Sequence, residues 1–394
     1  MKALEHLRIL DFTRVLAGPY CTMVLADLGA EVIKVEVPGT GDDARQFGPF
    51  SHSESAYFMS LNRNKKSITL NLKDPRAVDL VNRMVCKCDV VAENFRPGTM
   101  EKLGLGYEDL RKINPGIIYA AASGFGHTGP YSKRAAYDGV VQAMGGIMSI
   151  TGEVGGKPTR VGPSIGDISA GLFTAIGILA ALEQRNKTGI GQKVDVAMLD
   201  CQVAMLENAI ASYEVSGVVP KAIGNRHSSI VPFEPIGTSD GQLMVAAGND
   251  ALFIKLCHSI GLKALATDER FTTNPLRNKN YGELRPLLAE MLAQKTTGEW
   301  MVILDIAGVP NGPINSIDKV VVDEQILARE MIVEVEHPLA GKLRMPGIPI
   351  KLSETPGSIR MPSPTLGQHT GDILRDLLDL TDEEVEELKF QRVT

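Results

Sequence analysis

The sequence predicts an α/β fold in which a doubly wound parallel sheet is joined to a smaller α+β domain. Three observations predict it. Strand-like and helix-like segments alternate along the first half of the chain. The connections between them are short and carry glycine or proline. Near Gly217 that alternation gives way to short strands set close together.

Taken in order, residues 7–12 read as a short buried strand and 13–19 as a loop. Pro19 suits the first turn of a helix running on through 21–28, because its missing N–H would have no partner there. Gly29 stops that helix, and 31–36 alternates as a second strand. Strand, helix and strand of this length form a right-handed βαβ unit. The pattern recurs as a helix over 75–86 with a strand at 89–92, and a helix over 107–113 with a strand at 117–121, which makes this half Rossmann-like. Asp167 is expected to cap a helix over 168–185, kept slim by Gly171, Ala175, Ala180 and Ala181 for a helix–helix contact. A turn at 188–192, a strand at 193–197 and a helix to about 215 follow. Short strands at 233–236 and 242–246, with helices near 251–260 and 281–292, mark the smaller α+β domain over about 226–325. Two more strand-like stretches lie beyond Glu330, and Thr381 opens a last helix over 382–390.

Composition bounds the function. The chain has 394 residues, 44% hydrophobic and 22% charged, with a net charge of −6 and mixed signs throughout. That balance excludes a disordered chain and offers no basic face for nucleic acid. No signal peptide is recognisable, and the longest apolar stretch, around 170–182, is broken by Thr174 and Gly177. A cytoplasmic protein without a membrane span is expected. The five cysteines, Cys21, Cys86, Cys88, Cys201 and Cys257, form neither a zinc pattern nor a disulfide framework, so no metal site is expected.

The first strand–helix loop is where an open parallel sheet binds ligands, yet here it holds one glycine, Gly18. The Gly-x-Gly-x-x-Gly fingerprint and the Walker A pattern are both missing, which removes the main support for dinucleotides. Two cationic patches point to phosphate instead. One is Leu61-Asn62-Arg63-Asn64-Lys65-Lys66-Ser67, before an expected strand. The other is Asn94-Phe95-Arg96-Pro97-Gly98 with Lys102, just past the strand ending at Ala92. A glycine-rich stretch, Ser123 to Pro130, leads to Tyr137-Asp138. Asp138 reads either as the cap of the helix that begins there or as a carboxylate held near a ligand.

At these residues the sequence resembles the class III CoA-transferases, the group of formyl-CoA transferase and carnitine CoA-transferase. The matching motifs are Asp-Phe-Thr-x-x-x-Ala-Gly-Pro at 11–19, Gly-Ala-Glu-Val-Ile-Lys-Val-Glu at 29–36, Leu-Asn-Arg-Asn-Lys-Lys-Ser at 61–67 and Glu-Asn-Phe-Arg-Pro-Gly at 93–98. Ser-Gly-Phe-Gly at 123–126, Tyr-Asp at 137–138, Gly-Gln-Lys-Val-Asp-Val at 191–196 and Val-Pro-Asn-Gly-Pro-Ile at 309–314 continue the likeness along the chain. The resemblance implies a homodimer of two interlocked rings. It implies a large CoA-binding domain begun by 1–200, a linker helix and loop at 201–225, a small domain at 226–325 and a return segment, 326–394, that completes the large domain. It makes Asp138 the nucleophile, which forms an aspartyl–acyl anhydride and then an aspartyl-CoA thioester. It assigns CoA contacts to Arg14, Val15, Leu16, Ala17, Lys65, Asn94, Phe95 and Lys102. Coenzyme A enters as a thioester substrate, and no permanently bound cofactor is implied.

Two departures qualify the likeness. The formyl-CoA transferase prototype carries consecutive glycines in its small-domain loop, where this chain reads Gly224-Asn225-Arg226-His227-Ser228-Ser229. That loop resembles members acting on dicarboxylic acyl groups, such as succinyl-CoA-dependent transferases. Arg226 or His227 is then the expected partner of a distal carboxylate, the alternative being solvent or the other subunit. An arginine near the adenosine end of CoA is replaced by Val37. Two rivals remain at this point. α-Methylacyl-CoA racemases share the fold but carry histidine before the aspartate, where this chain has Tyr137, a residue whose ordinary pKa is too high for a base at pH 7 and which is assigned to the substrate side. The other rival is a non-catalytic CoA-binding protein.

Overall fold

A computed structural model describes residues 2–394. The chain divides into two compact units. One comprises residues 1–147, 160–217 and 325–394, and the other 148–159 and 218–324.

The larger unit is built on six parallel strands: β1 (Arg8–Asp11), β2 (Glu31–Glu36), β3 (Lys65–Thr69), β4 (Val90–Glu93), β5 (Ile118–Ser123) and β6 (Lys193–Ala197). Their order across the sheet is β3-β2-β1-β4-β5-β6. The chain winds outward from β1 to β3, returns to β4 beside β1, and winds outward again. The loops leaving β1 and β4 therefore diverge, opening a crevice at the carboxyl ends of the two strands.

The central strands are rich in apolar residues because both of their faces are covered. Leu10, Ile33, Val91 and Tyr119 point into a core with α2 (Pro75–Val85), α3 (Tyr107–Ile113) and the C-terminal helices. Their neighbours Ile9, Val32, Val90 and Ile118 point the other way, onto α1 (Ala17–Asp27) and a long helix near the middle of the chain. Pro19 does stand in the first turn of α1, and α2 starts at Pro75 behind Asp74, whose side chain accepts the Arg76 N–H.

The middle of the unit differs from the expectation. The helix α4 (Asp138–Met144) is capped by Tyr137 and not by Asp138. The long helix, α5 (Ile165–Thr188), has 24 residues and begins behind Ser164, so Asp167 lies inside its first turn and is not its cap. The Pro163-Ser164 bend, without a side-chain signature, sets the start a turn early. Thr174 and Gly177 do not interrupt α5, which by length and composition could cross a membrane. Here one face of it, with Ala175, Ile178 and Ala181, is buried on the sheet. The small residues serve close packing as expected: a Cβ on Gly171 would stand 2.7 Å from the Ala17 carbonyl oxygen. The helix expected to reach 215 is broken at Glu207, at φ 37°, into α6 (Met198–Met205) and α7 (Asn208–Ser216).

Residues 325–394 complete this unit. They form the hairpin β10 (Ile332–His337) and β11 (Gly341–Pro346), then α11 (Thr370–Leu378) and α12 (Asp382–Phe390), the last with a Thr381–Glu384 capping box. The smaller unit holds an antiparallel sheet of β7 (Phe233–Gly237), β8 (Gln242–Ala246) and β9 (Asn311–Pro313), covered by α8 (Asp250–Ser259), α9 (Tyr281–Leu292) and α10 (Thr297–Ala307). Its core is centred on Trp300, Phe253 and Phe271. Residues 148–159, which the sequence places in the large domain, belong to this unit, where Gly152 accepts the Gly224 N–H.

Candidate active site

The crevice between β1 and β4 is framed by two loops tied to each other. Asn94 Oδ1 accepts the Arg14 N–H at 2.7 Å, and its Nδ2 donates to the Arg14 carbonyl at 2.8 Å. The Arg14 guanidinium lies over the Phe95 ring at 4.9 Å. Val15 follows at φ 66°, a conformation that costs a β-branched residue on the order of 1–3 kcal/mol. Its N–H is held by Asp42 Oδ1 at 3.0 Å, and Asp42 is fixed by Lys34 at 2.9 Å. Burial alone would raise Asp42, but the charge of Lys34 reverses this and its carboxyl titrates below the ordinary range. This bracing turns the uncapped amino end of α1, from Leu16, toward the crevice, as an anion site requires.

Two neighbouring cavities share Arg14 and Phe95. The larger, about 490 Å³, runs between Val35–Val37, Leu70–Lys73 and Lys102. The smaller, about 250 Å³, is lined by Val15, Leu16, Ala17, Asn94, Tyr137 and Asp167. The crevice therefore brings together seven of the eight residues assigned to CoA. Lys65 is the exception. It is fully buried, its Nζ bonded to Asp11 Oδ2 at 3.2 Å, the Pro19 carbonyl at 3.0 Å and Asn62 Oδ1 at 3.0 Å. Burial depresses it to about 8.

Arg63 and Asn64 are equally unavailable, while Lys66 is partly exposed and paired with Glu31 at 2.6 Å. Arg63 pairs with Asp27 at 2.7 Å, and Asn64 bonds Asp27 and the backbone of Ser358, Arg360 and Met361. The patch is a buried clamp on the return segment, not a phosphate loop. Its last residues, Lys65 to Ser67, enter β3 itself, where Lys65 and Ser67 are buried. The second patch does lie on the crevice.

Two carboxylates stand near the inner end. Asp138 is 7% exposed. Its Oδ1 accepts the Gly166 N–H at 2.9 Å, and its Oδ2 accepts from Gln142 Nε2 at 2.8 Å and lies 3.7 Å from Arg160. Gln142 is itself oriented by the Val161 N–H at 2.8 Å. Asp138 thus reads as neither the cap of its own helix nor a group on the crevice wall. It ties the start of α4 to the start of α5. Asp167, the residue after Gly166, lines the smaller cavity, and among the described residues no hydrogen bond to its carboxylate is seen. Burial first, and the charge of Asp138 second, push it up to about 7. Burial first, and then the charges of Asp167, Asp42 and Asp138, lift Tyr57 to about 12. Of the two carboxylates, Asp167 and not Asp138 is among the residues that line the smaller cavity. Sequence reasoning missed it because it read Asp167 as a helix cap. It also missed Gln142, Arg160 and Arg134, the last of which lines the smaller cavity and stacks on Tyr131.

Arg226 and His227 belong to the smaller unit. Arg226 lies over the Tyr281 ring at 4.2 Å with its Nε buried and unpaired among the described residues. Tyr281 in turn donates to Glu234 at 2.9 Å. His227 stacks on Phe233 at 5.3 Å, and its Nδ1 accepts the Ser229 N–H.

The larger unit is thus an α/β domain with a braced crevice at the switch point of its parallel sheet and a carboxylate on the crevice wall. The profile of CoA-transferase family III matches residues 4–370, and the chain belongs to that family. Among its relatives, the succinyl-CoA:glutarate CoA-transferase of Mus musculus is 46% identical over 98% of this chain and 89% of its own length. The succinyl-CoA–D-citramalate CoA-transferase of Chloroflexus aurantiacus is 41% identical over 100% of this chain and 98% of its own. A CAIB/BAIF family protein from Brucella suis superposes with a TM-score of 0.84 at 41% identity, covering 95% of this chain and 99% of that one.

Proposed function

We propose that the protein exchanges CoA between succinyl-CoA and a dicarboxylic acid such as glutarate, with Asp167 as the attacking carboxylate. The single observation that carries the catalytic assignment is that Asp167 lines the crevice with a carboxyl raised to about 7 while Asp138 is held by donors behind it. The substrates follow from the names of relatives that match the whole chain. An ionised Asp167 oxygen attacks the thioester carbonyl, the C–S bond breaks, and CoA thiolate leaves an aspartyl–succinyl anhydride. The thiolate then attacks the aspartyl carbonyl, the anhydride C–O bond breaks, and succinate departs from an aspartyl-CoA thioester. The acceptor acid repeats both steps in reverse. Splitting the exchange in this way replaces one difficult substitution by easier ones.

Burial makes Asp167 more basic than an ordinary carboxylate and so a stronger nucleophile, and Asp138 supports that through its charge. Arg14, Asn94, Phe95 and Lys102 would hold the CoA moiety, with phosphates at the amino end of α1. A second reading keeps Asp138 as the nucleophile, favoured by the Gly166 amide and Arg160, which would steady a charged carbonyl oxygen there. Arg226 or His227 is carried forward as the partner of the distal carboxylate, to be read from the acceptor KM of their alanine variants. The family's interlocked homodimer is proposed for this chain as well. It is supported by an apolar stripe on α5, where Leu172, Phe173, Ile176 and Leu179 are all exposed.

The test is incubation with succinyl-CoA and glutarate, with CoA esters read by mass spectrometry and the acyl-enzyme trapped by hydroxylamine. Glutaryl-CoA should accumulate, and the hydroxamate should map to Asp167. A hydroxamate on Asp138 would instead establish the second reading. Washout of α-deuterium from a 2-methylacyl-CoA without acyl exchange would establish a racemase and sink the proposal.

A further inference from the structure

Behind the Asn94–Arg14 tie lies a buried charged cluster that the transfer steps do not use. Glu93 ends β4 and is 2% exposed. Its Oε2 accepts the Phe95 N–H at 2.7 Å. Its Oε1 faces the Tyr119 hydroxyl at 3.5 Å and His127 Nε2 at 3.6 Å. On the far side of the ring, His127 Nδ1 lies 2.9 Å from Lys193 Nζ. An ammonium has donors only, so Nδ1 is the acceptor, and the proton of the neutral imidazole sits on Nε2, turned toward Glu93. The His127 backbone N–H is fixed by Asp195 at 3.0 Å, and Glu101 is the remaining charge that acts on Glu93. Burial, with Glu101 adding to it, lifts the Glu93 carboxyl to about 8, while burial and Lys193 lower His127. A buried, hydrogen-bonded carboxyl of this cost is kept where it fixes a geometry.

The geometry in question is the turn after β4. The bond from Glu93 to the Phe95 amide closes that turn, Asn94 at its apex holds both backbone groups of Arg14, and the Phe95 ring carries the Arg14 guanidinium. We propose that Glu93 is a positioning residue for the acyl-CoA substrate: it sets the turn that presents Asn94 and Phe95 to Arg14, while His127, oriented by Lys193, faces its second oxygen. This rests on the reading of the crevice as the CoA site.

The test compares Glu93→Ala, Glu93→Gln and His127→Ala in steady-state kinetics and in calorimetric titration with free CoA. Glutamine keeps an acceptor for the Phe95 amide and alanine does not. Glu93→Ala should raise the acyl-CoA KM by about tenfold, the loss expected for a hydrogen bond to a carboxyl, with kcat at saturation and the acceptor KM within about twofold. Glu93→Gln should restore the acyl-CoA KM to within about threefold of wild type, a rescue that a merely structural defect would not show. His127→Ala should weaken CoA binding by about threefold, and it gives the reading should Glu93→Ala fail to fold. An unchanged acyl-CoA KM in folded Glu93→Ala, a glutamine variant as impaired as alanine, or unaltered CoA affinity in His127→Ala would overturn the inference. If the wild-type chain itself took up no CoA, the crevice assignment would fall and the inference with it. A wild-type titration that succeeds leaves the variants to judge Glu93 alone.

Discussion

Asp138 and Asp167 each stand in the first turn of a helix, next to a glycine, and are treated oppositely. Asp138 spends its oxygens on the Gly166 amide and Gln142 and links two helices. Asp167, next along the chain from that same glycine, faces a cavity with its carboxyl raised by burial and by its neighbour. Helix position alone therefore does not decide what an aspartate does. What decides it is whether donors reach its oxygens. A carboxylate whose oxygens are engaged by donors is committed to holding the structure together, whereas one left without them is free to meet a ligand.

The largest expected effect breaks this comparison directly. Asp167→Asn should lower kcat by at least about a thousandfold while CoA still binds, because an amide cannot form the anhydride. Asp138→Asn keeps the shape and one acceptor, and should lose about tenfold to a hundredfold. Equal losses in both, or a reversed order, would show the roles to be exchanged.

A similar contrast separates the two cationic segments. Arg63→Ala leaves Asp27 buried without its partner, and should cost about 3–5 kcal/mol in urea unfolding. The acyl-CoA KM of the folded fraction should not move. Lys102→Ala sits on the crevice and should do the reverse, raising that KM by about threefold to tenfold with little change in unfolding. An Arg63 variant that is stable but binds CoA poorly would return the first patch to the ligand.

The sheet was legible because its central strands are buried on both faces and its helices carry proline in the first turn or begin behind a short polar residue, as with Pro19, Pro75 and Thr381. The alternation gave parallel βαβ units and a doubly wound sheet, while the order of the strands came from the structure. The start of α5 could not be drawn from the sequence, since Ser164 offers no side-chain cap and the sequence shows Asp167 as the better candidate. That misplacement by one turn is why the carboxylate on the crevice was read as a cap. The two cationic patches look equivalent in sequence, and only tertiary contacts with Asp27 and the return segment distinguish them. The tie between Asn94 and Arg14 spans 80 residues and leaves no local trace.

The smallest effect expected is also the most specific to the pairing of the two aspartates. Asp167 must be ionised to attack, so the acidic limb of kcat/KM should rise through about pH 7 in the wild type. Burial supplies most of that elevation and would persist in Asp138→Asn, but the charge of Asp138 would be gone. The limb should then move to lower pH, by about half a unit to one unit. Stability should follow the same linkage with a definite sign. A carboxyl raised in the folded state contributes most at low pH, and that contribution is lost as pH rises through the folded value near 7. Asp167→Asn removes the penalty, so it should match the wild type near pH 4 and exceed it at pH 8 by about 4 kcal/mol. Unfolding followed by circular dichroism at both pH values checks the sign. A variant that is no more stable at pH 8 would mean that Asp167 is not the group held against ionisation, and the asymmetry between the two aspartates would have to be sought in their access to substrate alone.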